Sequence, residues 1–173
     1  NDEIILREKA VKLFDIGAVG KSPSRFDIKK LESINGVYIR QADENRLLKL
    51  VEKRLRQNPK AVLNQITLDR IKRGLTGLKM RAKSIDDIAS AAIIYSLIPP
   101  ISMDEKAEAI LHKEARQLIT GLLKPFDKLT NWDRDGIEVI LKNYATDRQV
   151  KFGEVAQPLR AILTGTTTSP DIF

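Results

Sequence analysis

Apolar residues recur along this chain at intervals of three and four, the spacing that places side chains on one face of an α-helix. Two such stripes lie in the first half of the chain: Leu47, Leu48, Val51 and Leu55, then Leu68, Ile71, Leu75 and Leu78. Asp43 stands where a capping carboxylate is expected. The first stripe therefore predicts a helix that Asp43 caps and that ends near Gln57.

Two capping boxes predict further helix starts, because Ser84 precedes Asp87, and Ser102 precedes Glu105, by the spacing of reciprocal side-chain caps. The helix after Ser84 has an apolar face formed by Ile85, Ile88, Ala89, Ala92 and Ile93. The helix after Ser102 is expected to carry Ile110, Leu111, Leu118 and Leu122. His112 would then lie in the middle of that helix.

Two more helices are predicted toward the C-terminus. Asn131 is expected to open a helix that carries Ile137, Ile140, Leu141 and Tyr144. Residues 153–164 read as a last helix with Pro158 inside it, and the missing N–H of that proline is expected to bend the helix. No convincing run of alternating strand residues occurs, so the predicted fold class is all-α, built of short helices.

Proline and glycine mark the joints between predicted blocks. One joint lies near Asp43, and another falls in "SLIPPISMDE", where Pro99 and Pro100 prevent a helix from continuing. We therefore divide the chain into residues 1–42, 43–101 and 102–173.

Composition narrows the class of partner. Hydrophobic residues make up 42% of the 173 residues, as expected of a globular chain with a core. Thirty Lys and Arg residues against 23 Asp and Glu residues give a formal net charge of +7. Such an excess favours an anionic partner, and nucleic acid is the leading one.

The absence of cysteine removes disulfides, thiol catalysis and zinc–cysteine sites, and fits a reducing cytoplasm. His112 is the single histidine, so no multi-histidine metal site can form. No apolar run is long enough to span a bilayer, and no signal-peptide pattern occurs. Because the chain begins N-D-E-I-I rather than with Met, we expect it to be a piece of a longer protein.

Two short motifs imitate nucleotide-binding loops. G-A-V-G-K-S ends at Ser22, but a Walker A loop needs a glycine where Asp15 stands, and Pro23 biases Ser22 away from helical angles. K-M-R-A-K-S, from Lys79 to Ser84, spans the end of one predicted helix and the cap of the next. We interpret neither as a phosphate-binding loop.

No enzyme centre is visible among the titratable residues. The acid pairs Asp86–Asp87 and Asp133–Asp135 sit at predicted helix starts, where carboxylates oppose the positive end of the helix dipole. His112 has no neighbouring Ser or Cys nucleophile, and a solvated or half-buried histidine is the simpler interpretation.

Two kinds of segment suit RNA. "EKRLRQNPK" and "LDRIKRGLTGLKMRAK" place cations on or near helices, either as a solvated face or as a groove that follows phosphates. "KFGEVAQPLRAILTGTTTSPDIF" combines an amide, a guanidinium, hydroxyls and loop backbone, the groups that read unstacked bases; a capped helix and polar turn is the alternative.

At this point three stretches resemble bacterial glutamyl-tRNA synthetases: the "GKSPSRFD" region, "KLESINGVYIR" and "VKFGEVAQPLRAILTGTTTSPDIF". The similarity is collinear over essentially the whole chain. The resemblance implies a class I ligase that joins glutamate to its tRNA with ATP and magnesium in a catalytic domain upstream of Asn1. This chain would hold the end of the stem-contact region and two helical anticodon-binding domains, with no catalytic residue, cofactor or metal of its own.

The resemblance also implies where tRNA binds. Carried over to this sequence, the anticodon-binding residues are Arg81, Lys83, Gln157, Arg160, Thr168, Ser169 and Ile172, with Arg81 or Lys83 at the position that discriminates between tRNAs. The residues expected to contact the tRNA backbone are Lys21, Arg25, Arg40, Lys72, Arg73 and Lys79. The expected partners are tRNA(Glu) and, as an open alternative, tRNA(Gln), bound by a monomer in the cytoplasm.

Two departures from the family pattern matter. Some members have an arginine that stacks on the anticodon where this chain has A-K-S, and lysine is a point charge rather than a flat stacking surface. Strict discrimination between glutamate and glutamine tRNAs therefore does not follow. Family members also usually continue past the S-P-x-(I/L)-F turn into one more helix, so we expect the chain to be truncated at its C-terminus.

Two alternatives stay open. The helical tRNA-binding region of a class I lysyl-tRNA synthetase is related to that of the glutamyl enzymes. A basic helical module that binds another protein would share the charge and the helices.

Overall fold

A computed structural model describes residues 4–20, 22, 25–170 and 172. The chain divides into two compact units, Asn1–Tyr95 and Ser96–Phe173. Within the described residues the regular structure is helical and no strand occurs, which confirms the predicted all-α class. The finer division at residue 42 stays a prediction.

Among its described residues the first unit contains five α-helices: α1 (Arg7–Leu13), α2 (Ile28–Gln41), α3 (Glu44–Leu55), α4 (Gln65–Arg81) and α5 (Ile85–Ala92). A 3₁₀ turn, Ile16–Ala18, follows α1, and another, Ile93–Ser96, follows α5. The predicted α3 helix is confirmed, because Asp43 accepts a hydrogen bond from the Arg46 N–H at 2.9 Å and caps it.

The predicted apolar stripes form the core of this unit. Its buried residues are Ile39, Leu47, Val51, Leu55, Ile71, Leu75, Leu78, Ala82, Ile88, Ala89 and Ala92. Leu68 is only half-buried, whereas Thr67 beside it is 1% exposed. Thr67 can be buried because it exchanges hydrogen bonds with the N-cap residue Asn64, at 2.9 and 3.0 Å.

The described part of the second unit also contains five α-helices: α6 (Glu105–Ile110), α7 (Lys113–Gly121), α8 (Leu123–Asp127), α9 (Arg134–Asp147) and α10 (Phe152–Thr164). One buried cluster packs α9 and α10 against the junction between α7 and α8, and consists of Leu122, Leu141, Tyr144, Ala145 and Val155. A smaller cluster of Ala107, Leu111 and Ala161 packs α6 against α10. The last predicted helix is confirmed, with Pro158 inside it and buried.

Three local predictions in this unit are wrong. The cap of α6 is Asp104, which accepts from the Ala107 N–H at 2.7 Å, and not Ser102. The helix predicted to pass through His112 breaks there, and His112 is instead the N-cap of α7. Its Nδ1 lies 3.4 Å from the Ala115 N–H, so the imidazole takes the role usually given to a short polar side chain.

The third correction concerns α9, which begins at Arg134 and not after Asn131. Asp133 caps it by accepting from the Gly136 N–H at 2.8 Å. The helix is therefore capped by the carboxylate of Asp133, two residues beyond Asn131. None of the helices in the described part of the chain is both long and apolar enough to cross a bilayer.

We expect Gly121→Ala to destabilise the second unit by about 1–3 kcal/mol, the usual cost of forcing extra volume into a packed site. A Cβ at residue 121 would lie 2.1 Å from the Tyr144 hydroxyl. That hydroxyl cannot retreat freely, because it donates to the Leu118 carbonyl at 2.7 Å and Tyr144 is 6% exposed. Thermal and urea unfolding measure the change.

Gly153→Ala is the matched control, since Gly153 is also helical and a Cβ there meets nothing within 4 Å. It should leave the unit unchanged or stabilise it by up to about 1 kcal/mol. Equal stability of the two variants would contradict the packing assigned to Tyr144.

Candidate RNA-binding surfaces

The net positive charge of the chain belongs to the first unit. Residues 1–95 hold 20 Lys and Arg against 12 Asp and Glu, a net charge of +8, whereas residues 96–173 hold 10 against 11, a net charge of −1. Sequence-independent RNA affinity comes from cations near phosphates. The first unit therefore carries the charge that favours such binding. The residues of the second unit that the sequence predicts to read bases therefore lie in a unit with almost no net charge.

Five of the six cations predicted to contact the tRNA backbone lie in the described part of the first unit. Arg25 and Arg40 are exposed, and so are Lys72 and Arg73 on α4. Lys21, the sixth, falls outside the described residues. Consecutive residues of a helix point about 100° apart, so Lys72 and Arg73 lie on adjoining faces of α4 rather than in one row.

Lys79 is engaged within the protein. Its Nζ lies 2.9 Å from Glu44 Oε1, and its side chain is 14% exposed. Glu44 also accepts a hydrogen bond from the Thr76 hydroxyl at 2.9 Å. The hydrogen bond from Lys79 and then that from Thr76 lower the pKa of Glu44, so this carboxylate stays charged and holds the lysine. The phosphate contact of Lys79 stays a prediction, and an RNA phosphate would compete with Glu44 for this lysine.

Arg81 and Lys83 flank the turn between α4 and α5. Arg81 is the last residue of α4 and is exposed, and Ala82 between them is buried. The Lys83 N–H donates to Asp87 Oδ2 at 2.9 Å, and the Lys83 carbonyl accepts from Asn35 Nδ2 at 2.6 Å. The backbone of the turn is thereby fixed while both cationic side chains face outward from it.

The C-terminal segment brings two predicted base-reading residues into contact. Arg160 Nε donates to Ser169 Oγ at 2.9 Å, and Ser169 Oγ in turn donates to the Pro170 carbonyl at 2.9 Å. We call residues 166–170 the hook. Gln157 lies one turn before Arg160 on α10 and is exposed, whereas Arg160 and Ser169 are half-buried.

The remaining predicted residues of this segment lie at the surface. Thr168 is exposed, and its carbonyl accepts from the Thr166 hydroxyl. Ile172 is half-buried. The base contacts proposed for these residues stay predictions, but the exposed and half-buried positions leave them within reach of a ligand.

Two residues that the sequence analysis missed hold the hook in place. Gly165 has a φ of 73°, ends α10 through a hydrogen bond to the Ala161 carbonyl, and accepts from the Asp104 N–H at 2.9 Å. Thr164 is 7% exposed and donates its hydroxyl to the Arg160 carbonyl at 2.9 Å. A threonine followed by glycine at a helix end is the signal that could have pointed to them.

Three of the four acidic residues considered as candidates, Asp86, Asp87 and Asp133, have structural partners. Asp86 accepts two hydrogen bonds from Arg54, and the bond from Arg54 Nη2 to Asp86 Oδ2 is 2.8 Å long. The Arg54 guanidinium lowers the pKa of the Asp86 carboxyl. Asp87 completes the capping box with Ser84, as predicted. His112 and Asp133 are helix caps.

The described parts of the two motifs that imitate nucleotide loops lie in a 3₁₀ turn and at helix ends. G-A-V-G-K-S starts in the 3₁₀ turn Ile16–Ala18, where Asp15 binds the Gly17 N–H, and K-M-R-A-K-S runs from α4 into the cap of α5. Among the described residues no three His, Cys, Asp or Glu side chains gather as a metal-binding group.

An all-α module with a basic first unit and a C-terminal segment that carries amide, guanidinium and hydroxyl groups is the kind of scaffold that binds nucleic acid. The chain belongs to the anticodon binding domain family, whose model matches residues 46–173.

The curated relatives that match are glutamate–tRNA ligases. Glutamate–tRNA ligase 2 of Rhodospirillum rubrum is 39% identical over 173 residues, which is all of this chain and 37% of the relative. Glutamate–tRNA ligase 2 of Zymomonas mobilis is 42% identical over 173 residues, all of this chain and 36% of the relative. The chain thus spans little more than a third of the length of these relatives.

Solved structures share the fold. A crystal structure of a glutamate tRNA ligase from Elizabethkingia meningosepticum in complex with its amino acid aligns with a TM-score of 0.75 at 24% identity, covering 95% of this chain and 32% of that one. Glutamate-tRNA synthetase from Elizabethkingia anophelis aligns with a TM-score of 0.69 at 23% identity, covering 95% and 31%.

Gly165→Ala should destabilise the second unit by at least about 2 kcal/mol, because a side chain at positive φ costs about 1–2 kcal/mol before any clash. A Cβ at residue 165 would also lie 2.2 Å from the Ser102 carbonyl oxygen, which is backbone and cannot rotate away. Urea unfolding of the variant and the parent chain measures the difference.

Gly165→Asn separates the two causes, since asparagine adopts positive φ more readily but carries the same Cβ. If the clash dominates, both variants lose similar stability. A Gly165→Ala chain as stable as its parent would show that the hook is not anchored as described.

Proposed function

We propose that this chain is the tRNA-binding C-terminal part of a class I glutamate–tRNA ligase. The parent enzyme would attach glutamate to tRNA(Glu) in an ATP-dependent reaction during protein synthesis, in the cytoplasm and as a monomer. The observation that carries the proposal is the family match over residues 46–173, because it covers both Lys83 and the hook. The ligase relatives that align with the whole chain support the choice of amino acid.

In this proposal the chain itself performs no chemistry on ATP. ATP and magnesium would belong to the catalytic part of the parent, and the task of this chain would be to select and hold the tRNA.

The first unit would supply most of the affinity. With a net charge of +8, it would follow the phosphates of the anticodon arm through exposed cations such as Arg40, Lys72 and Arg73. Each phosphate contact releases condensed counterions, so this affinity falls steeply as salt is raised. Phosphate contacts position the tRNA but carry no sequence information.

The hook, together with Arg160 and Gln157 on α10, would supply base recognition. Ser169 uses one of the five N–H donors of Arg160 and so fixes the plane of the guanidinium at the surface. A fixed planar cation can stack on one unpaired base and donate to the edge of another. Gln157, one turn earlier on α10, adds an amide with both donor and acceptor groups.

Titration of the chain with glutamate tRNA and with an anticodon-scrambled copy, at several salt concentrations, tests the function. We expect tighter binding of the glutamate tRNA and a strong loss of affinity for both RNAs as salt rises. Equal binding of the two RNAs would leave only an electrostatic patch. No binding at low salt would favour the protein-interaction module, and tighter binding of a lysine tRNA titrated as a third RNA would favour the lysyl enzyme.

Arg160→Ala should weaken binding of the glutamate tRNA by about 1–3 kcal/mol, the measured range for a stacking or base-edge contact. Binding of the scrambled copy should change much less, because its bases do not fit. Ser169→Ala should give a smaller loss in the same direction, since the guanidinium remains but its Nε partner is removed.

Arg148→Ala is the matched control. It removes the same charge from the same unit, and Arg148 likewise has a defined contact, with its guanidinium carbon 5.2 Å from the centre of the Tyr144 ring. An equal loss of tRNA affinity in Arg148→Ala and Arg160→Ala would remove Arg160 from the site.

A further inference from the structure

Helix α2 lies against the turn that carries Lys83, although the two are far apart in sequence. We propose that Asn35 on α2 is a positioning residue for anticodon discrimination, because it holds the backbone of Lys83 and thereby sets where the Lys83 ammonium meets a base. The inference rests on the proposed function. It adds a residue that lies before position 46, outside the stretch matched by the family model.

The first step is that side chains from two helices bind both backbone groups of Lys83. Asn35 Nδ2 donates to the Lys83 carbonyl at 2.6 Å, and Asp87 Oδ2 accepts from the Lys83 N–H at 2.9 Å. Asp87 also accepts from the Ser84 N–H at 3.0 Å. The bond to Asp87 is a local helix cap, whereas the bond to Asn35 joins residues 48 positions apart. Of these two backbone bonds, the one from Asn35 ties the turn to another helix.

The second step is the close approach of the α2 backbone to the same turn. Gly36 is buried, and a Cβ there would lie 3.3 Å from the Ala82 carbonyl oxygen and 3.8 Å from Lys83 Cα. Ala82 itself is 3% exposed. A Cβ at position 36 would require the Ala82 carbonyl to shift by a few tenths of an ångström, so glycine allows α2 to approach the turn without that shift.

The third step concerns the Lys83 side chain. Its Nζ lies 3.7 Å from Glu32 Oε2, and the two side chains are 62% and 48% exposed. Glu32 lies three and four residues before Asn35 and Gly36, so all three occupy one face of α2. An exposed ion pair of this kind is weak, and the ammonium can exchange Glu32 for an acceptor on RNA.

These contacts compensate for the chemistry of lysine. A lysine ammonium is a point charge on a flexible stem and selects bases poorly unless its attachment is fixed. With the backbone of the turn held, the ammonium reaches a restricted volume. Guanine offers O6 and N7 acceptors, whereas unpaired cytosine offers its N4 amino donor beside the N3 acceptor, so the two bases place their acceptors differently.

The test compares two anticodon stem-loops of the glutamate tRNA that differ only in the third anticodon base, cytosine or guanine, titrated into the full chain. Asn35→Ala should change the ratio of the two dissociation constants by about threefold to tenfold toward unity, the range for the loss of one hydrogen bond. The slope of affinity against salt should stay the same, since no phosphate contact is lost. Asn45→Ala, at an exposed helical asparagine of the same unit, is the control and should leave the ratio unchanged.

Gly36→Ala gives a second, independent readout. It keeps the Asn35 amide but presses on the Ala82 carbonyl, so it should shift the ratio in the same direction. If Asn35→Ala unfolds below the assay temperature, this variant decides the question.

The outcomes separate the inference from the function beneath it. A parent chain that discriminates, with a ratio unchanged in both Asn35→Ala and Gly36→Ala, overturns the positioning role and leaves the proposed function intact. A parent chain that binds the stem-loops but does not tell them apart also overturns it. A parent chain that binds neither stem-loop better than a scrambled one overturns both.

Discussion

Backbone groups at helix ends impose the constraint on which this structure depends. Most of its helices have fewer than 15 residues, a length at which an isolated helix is marginal in water. Side chains therefore satisfy the first N–H groups of seven helices: Asp27, Asp43, Asn64, Ser84, Asp104, His112 and Asp133. The same requirement explains why carboxylates that could suggest chemistry serve the backbone instead.

The capped ends are also where the candidate recognition groups lie. Lys83 precedes the cap of α5, and the hook follows the left-handed Gly165 at the end of α10. A helix end offers exposed side chains on a backbone that is already fixed, which suits the recognition of unstacked bases. The charge is divided differently, with a net +8 in the first unit and −1 in the second. In the proposed function the net charge of the first unit supplies affinity, and base recognition is divided between Lys83 of the first unit and the C-terminal segment of the second.

Local signals were sufficient for much of the fold. The sequence correctly predicted the buried stripe of Leu47, Val51 and Leu55 and the capping box of Ser84. Helix periodicity and capping act over three or four residues, so neighbours along the chain determine both. Local signals failed where several caps competed. Ser102 had the spacing of a capping box, yet its carbonyl faces Gly165, and the bond from the Asp104 N–H to Gly165 places Asp104 at the start of α6. A long-range contact decided between two locally acceptable caps.

From the sequence alone follow the all-α class, the apolar stripes, the excess of positive charge and the residue types of the C-terminal segment, since each depends on composition or on neighbours within one helical turn. Tertiary structure alone decided which polar groups meet. Asn35 reaches Lys83 across 48 positions where Gly36 lets α2 approach the turn, and Lys79 is engaged by Glu44 from another helix. Such pairings depend on how helices pack, and no periodicity along the chain encodes the distance between two side chains that a fold brings together.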